Sequence, residues 1–218
     1  MSRRRRVLTF VGVTLVAYGC TAPPGTTATA ALPQPVSEDT TSRTLVPPGF
    51  GSLRQDDIAI RLTPPGFIVR AIPLEEGVIR LLTPDSYRAL RELQESNRQA
   101  IANITRRSGG RAPDLWYVSF FGVQPEARFI AMDLIINSAG QDFRPLEIIP
   151  LTTGFGEQRL HQRETQSAVY VFPGEVDVDH PLSLTFQGER NTSWEQILQR
   201  IERERALVRA RSGRGGSH

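Results

Sequence analysis

The residues best placed by type and spacing to do chemistry are Glu175, Asp177 and Asp179, followed directly by His180. In an extended segment alternate side chains share a face, so the three carboxylates point the same way. That is a beginning for a Ca²⁺ site, although such an ion takes roughly six to eight oxygens and three carboxylates cover at most half of them. A polar loop joining two strands accounts for the same residues. His161 and His218 each stand alone in the sequence. The chain carries no HExxH, GxSxG or P-loop motif and no paired cysteines. No catalytic residue and no cofactor is therefore assigned. The alternative is a hydrolase or metal-dependent enzyme that uses the acidic 175–180 loop with His161.

The remaining reactive side chain is Cys20, the single cysteine of the chain. It ends a stretch with four arginines, Arg3 to Arg6, and an apolar run from Val7 to Val16, the layout of an export signal. Val16, Ala17, Tyr18, Gly19 and Cys20 resemble the lipobox of bacterial lipoproteins. The resemblance implies that a diacylglyceryl group joins the Cys20 sulfur and that a peptidase cuts after Gly19, leaving Cys20 as an acylated N-terminus. It also implies, from Thr21 where an Asp would retain the protein in the inner membrane, the outer membrane of a cell that has one. Two other readings of these residues stay open. Ala17 and Gly19 satisfy the small-x-small rule of ordinary signal cleavage, and an uncleaved anchor is disfavoured because spanning takes roughly 17–25 apolar residues.

Removing residues 1–19 also reinterprets the composition. The whole chain has formal charge +3 and a pI near 9.6. The segment lost holds four arginines and no acid, which takes the charge to −1. Nucleic-acid binding, which needs a basic surface to displace counterions, thereby loses its support. All 26 basic residues are arginine. With one cysteine there is no disulfide within the chain, so the core alone must hold the fold.

The elements that position the acidic loop begin after a tether. Residues 20–52 are rich in Thr, Ala, Pro and Gly and lack apolar periodicity, which predicts a flexible segment with an r.m.s. span of roughly 30 Å. Ile58, Ile60 and Leu62 alternate as in a half-buried strand, and Phe67 to Leu74 and Val78 to Leu82 follow as strands two and three. Thr83, Pro84 and Asp85 open a helix that continues to about Arg107. Further strands are expected at 116–123, 128–136, 143–149, 158–162, 167–172 and 182–186, the second with Ile130, Met132, Leu134 and Ile136 on one face. A last helix spans about 193–210, with Trp194, Ile197, Leu198, Ile201, Arg205 and Val208 on its buried side.

These elements predict a mainly β protein: an antiparallel β-sandwich with one inserted helix and a C-terminal helix. The domain is expected over 53–212, with helices near 83–107 and 193–210 and a disordered tail at 213–218. A strand ending in Asn137, a polar loop, and a later strand running into Phe172-Pro173-Gly174 resemble, over about residues 115–187, the immunoglobulin-like domains of bacterial envelope lipoproteins. The expected function is a membrane-anchored, non-catalytic binding or assembly module of the cell envelope. Its expected partners are the membrane, through the lipid on Cys20, and another envelope protein or the cell wall.

Overall fold

The computed structural model describes residues 46–47 and 49–214. The signal peptide, Cys20 and most of the expected tether lie outside the described residues, as does the tail beyond 214. What is described is a mixed α/β domain built from antiparallel sheets, with inserted helices and a C-terminal helix. No helix among the described residues is long and apolar enough to cross a membrane.

The chain opens with β1 (Ile60–Leu62) and β2 (Phe67–Pro73), paired antiparallel with Ile60 opposite Ala71. Gly66, at φ +91°, makes the turn between them after two prolines. A one-turn helix, α1 (Glu76–Ile79), follows where a third strand was expected. The reason is visible in the spacing: Val78, Ile79, Leu81 and Leu82 are all buried, at i, i+1, i+3 and i+4, which is helical and not alternating. The Glu75 side chain caps the turn by accepting from the Val78 amide at 2.8 Å.

The expected long helix forms as two, α2 (Pro84–Ser96) and α3 (Arg98–Arg107). Asn97 separates them, because its Nδ2 donates to the Leu93 carbonyl at 2.8 Å and ends the first helix locally. Then come β3 (Asp114–Gly122), β4 (Ala127–Arg128), β5 (Ile135–Ser138), β6 (Gln141–Phe143), β7 (Glu147–Pro150), β8 (Arg159–Leu160), β9 (Thr165–Phe172), β10 (Leu182–Phe186), β11 (Glu189–Asn191) and α4 (Trp194–Arg214). Helix α4 thus continues two residues into the segment expected to be a disordered tail.

The strand expected over 128–136 is broken by a 3₁₀ turn at Ala131–Asp133. Phe129, Ala131, Leu134 and Ile136 are buried, whereas Ile130 and Met132 are 54% and 46% exposed. The aromatic core outcompetes the alternation here. Phe129 stacks on Phe120 at 4.3 Å, the Gln158 side chain accepts from the Ala131 amide at 2.9 Å, and the Tyr170 hydroxyl donates to the Ala131 carbonyl at 2.9 Å. The strand expected over 143–149 is likewise split, into β6 and β7 in different sheets. Pro145, which has no N–H for a ladder, lies between them.

Two larger sheets result, of order β1-β2-β3-β9-β7 and β11-β10-β5-β6, with β4-β8 as a small third. The larger two meet through Phe186 of β10, whose ring lies 6.0 Å from Phe67 and 5.6 Å from Phe120. At one edge β1 and β11 are joined by side chains. Glu189 accepts from the Thr63 amide at 2.8 Å, and Asn191 donates to the Arg61 carbonyl at 2.7 Å. The sheets therefore do not close into a barrel. Free edges remain at β6 and β7, and β7 ends on Pro150. A second core centre forms where Trp194 of α4 meets Trp116 of β3 at 6.1 Å, both rings fully buried.

Candidate functional site

The acidic loop connects β9 to β10 and is held down along its length. Gly174 begins it in close contact with the 111–113 segment: a Cβ there would lie 1.9 Å from the Ala112 carbonyl oxygen. Val176 and Val178 then turn inward and are buried, which leaves Glu175, Asp177 and Asp179 on the outer side, as alternation requires. The three carboxylates do not converge on one point. Glu175 pairs with Arg111, Asp177 with the His180 ring nitrogen Nδ1 at 2.6 Å, and Asp179 with Arg205 of α4 at 2.8 Å. Asp177 also accepts from the Asp179 amide at 2.9 Å. The Trp194 indole donates to the Val178 carbonyl at 3.0 Å, so α4 grips the loop at two places. Among the described residues no group of three His, Cys, Asp or Glu side chains is arranged to hold a metal ion.

Behind the loop lies a cleft of about 150 Å³ whose lining includes Leu74, Gln94, Pro113, Asp114, Trp116 and Val178. Asp114, the first residue of β3, was not a sequence candidate and is the polar group at the centre of this region. Its carboxylate accepts from the Val176 amide at 2.8 Å and so ties the loop to the strand. Burial pushes the Asp114 carboxyl above the usual carboxylate range, against the opposing pull of the Val176 and Glu175 amides and of Arg111. Gln94 is fixed by donating to the Leu74 carbonyl at 2.7 Å. Across Pro113 a second cleft of about 160 Å³ is lined by Ser108, Arg111, Leu146 and Glu175, with Leu146 46% exposed. Together the clefts present a fixed rim of mixed polar and apolar groups, each cleft smaller than the roughly 300–1,000 Å³ of a small-molecule site.

His161 is not part of this region. Its amide donates to Glu164 at 2.7 Å, and its carbonyl oxygen lies 2.1 Å from where a Cβ on Gly122 would stand. Gly122 ends β3 and Asp114 begins it. At a strand rise of about 3.3 Å per residue, the two ends are roughly 26 Å apart. The structure therefore places His161 and the 175–180 loop at opposite ends of the sheet.

A second charged cluster lies where the chain enters the domain. Trp194, Ile197, Ile201 and Glu204 fall on one stripe of α4 at alternating spacings of three and four, and Glu204 is only 4% exposed. Its Oε1 accepts from the Ser52 amide at 2.9 Å, the Ser52 hydroxyl at 3.1 Å and Arg211 at 3.0 Å. Arg211 also donates to the Phe50 carbonyl at 3.0 Å. The expected buried side carried Arg205 and not Glu204; the structure buries Glu204 and leaves Arg205 half-buried, because the stripe through Trp194, Ile197 and Ile201 continues at a spacing of three. The partner of Glu204, 152 residues away, was not legible.

Compared with protein-family models, curated proteins and solved structures, the chain matches none of them.

Proposed function

We propose that the chain is an exported lipoprotein, anchored to a bacterial cell envelope by acyl groups on Cys20, whose folded domain acts as a non-catalytic binding or assembly module. The anchor rests on the sequence alone: Arg3 to Arg6, the run Val7 to Val16, and Val16 to Cys20. Thr21 favours an outer membrane where the cell has one. The observation that carries the module reading is the fixed state of the 175–180 loop. Its carboxylates are engaged by Arg111, His180 and Arg205, and the adjoining clefts are bounded by groups bonded to their own fold. A rim held in place before a partner arrives spares the ordering cost of binding. The partner is another envelope protein or the cell wall. A sandwich of immunoglobulin-like kind belongs to the same proposal, supported by a four-stranded antiparallel sheet facing a five-stranded one through Phe186. The alternative, a hydrolase or metal-dependent enzyme joining the loop to His161, has the separation along β3 against it.

The anchor is tested by the mass of Cys20 and by detergent-phase partition in wild type and Cys20→Ala. Partition of the Cys20→Ala chain like wild type overturns it. The module is tested by co-purification from native membranes with wild type and with Leu146→Arg, which places a charge in the cleft beside the loop. A partner retained unchanged by that variant removes this region from the reading.

A further inference from the structure

We propose that Glu204, Ser52 and Arg211 form a force-carrying clip, which passes tension on the N-terminal segment to α4 and to residues 80–83 before it reaches either sheet. The tension itself rests on the tether reading above; the clip is a matter of geometry. Four hydrogen bonds alternate along the incoming segment. The Gly51 amide donates to the Arg80 carbonyl at 3.0 Å, the Ser52 amide to Glu204, the Leu53 amide to the Leu81 carbonyl at 3.1 Å, and the Thr83 amide to the Leu53 carbonyl at 2.9 Å. Successive amides thus bond to opposite sides, as in the middle of a sheet, but one of the two neighbours is a helix side chain. Bonds that lie across an extended segment share a pull along it, whereas bonds at a hairpin end yield one at a time.

Two further features hold the segment at this place. A Cβ on Gly51 would lie 1.8 Å from the Leu81 carbonyl oxygen, so the segment runs closer to its neighbour than a side chain permits. Outside the clip, the Phe50 ring packs edge-on against Tyr87 at 5.3 Å while its carbonyl is taken by Arg211. Glu204 stands at a stripe position where a leucine would bury as well. An apolar side chain there could not accept the Ser52 amide, and an unpaired buried amide is costly. The carboxylate, with three donors on one oxygen, meets that need.

The test pulls the unlipidated full chain between Cys20, its single thiol, and a second thiol introduced by Arg128→Cys at the exposed position of β4. Wild type is expected to hold until the domain yields. Glu204→Ala and Arg211→Ala are expected to show an earlier, weaker step that lengthens the chain by less than about 28 Å, the extended length of residues 46–53, since part of that length is already spanned in the fold. In Glu204→Ala the Ser52 amide is expected to exchange about 10- to 100-fold faster, the loss of a bond to a charged acceptor, and in Arg211→Ala, which keeps that acceptor, by less. Near-ultraviolet circular dichroism of the buried Trp116–Trp194 pair reports whether each variant is folded. Should both charge variants fail to fold, Ser52→Ala, which leaves Glu204 and Arg211 paired, is expected to lower the first rupture force by a smaller amount. Folded variants that rupture in one step at the wild-type force overturn the clip. Because the thiol handle replaces the lipid, that result leaves the anchor standing, and an unacylated Cys20 in cells leaves the clip standing.

Discussion

The carboxylate of Asp179 lies 2.8 Å from the guanidinium of Arg205, joining the loop before β10 to the middle of α4. Burial opposes the charge on Arg205, but its bonds to Asp179 and Glu202 outweigh this and hold its pKa above the ordinary arginine value. Asp179 is itself mostly exposed, and Glu202 remains when it is removed. Asp179→Ala is therefore expected to cost only about 0.5–1 kcal/mol in urea denaturation. A double-mutant cycle with Arg205→Ala should return a coupling of the same size. Coupling near zero would mean that the Trp194 bond to the loop alone sets the position of α4.

Asp114 has the opposite electrostatic character. Its pKa is raised above the ordinary 3.8, so the folded state holds the proton more tightly than the unfolded one. Its contribution to stability is then fully present below that value and is lost as pH rises through the folded pKa. Asp114→Asn removes the titration while keeping an acceptor for the Val176 amide. Urea midpoints of the variant are expected to gain on wild type between pH 4 and pH 7. A constant difference across that range would show that Asp114 does not titrate anomalously.

Glu164 behaves as a depressed carboxylate. The His161 amide, and then the Gln166 side chain, hold its pKa below the ordinary 4.5. The stabilisation is present above 4.5 and lost as pH falls through the folded value. Acidification is expected to lower the protection factor of the His161 amide, its rate taken relative to the unfolded chain at the same pH, before it does so in the centre of β3, and Glu164→Gln should abolish that pH dependence. Simultaneous exchange at both places at every pH would count against it.

The corrected face of the 127–136 segment makes a packing prediction. Phe129→Ala removes a ring stacked in the aromatic core and is expected to cost about 3–5 kcal/mol. Ile130→Ser and Met132→Ser, at exposed positions, should change stability by no more than about 0.5 kcal/mol. Denaturant titration of the three variants decides between this arrangement and a continuous strand, which would bury Ile130 and Met132 instead.

The strong local patterns were legible in the sequence: β2, β3, β9 and β10, the start of α2 at Thr83-Pro84, and the apolar stripe of α4. Where readings failed, a distant contact decided the outcome. Ile130 and Met132 alternate well enough for a strand, but Phe120, Gln158 and Tyr170 hold Phe129 and Ala131 in another arrangement. Strand β11, Glu189-Arg190-Asn191, has no apolar alternation because its pairing partner is β10 and its side chains serve β1. The acidic loop was visible as three carboxylates on one side, and that much holds. Their separate partners, and the part played by Asp114, depend on Arg111 and Arg205 arriving from elsewhere in the chain.

Proline at the free margin of the five-stranded sheet bears on how copies of this protein behave when crowded. An uncovered strand invites a neighbour to add its own, and a row of such additions is how β proteins aggregate. Strand β7 is four residues long, Pro150 contributes no amide, and Glu147 is drawn to Arg107. Two copies brought together along β7 find no continuous row of donors to share. Crowding along this margin is thereby made compatible with each molecule remaining separate.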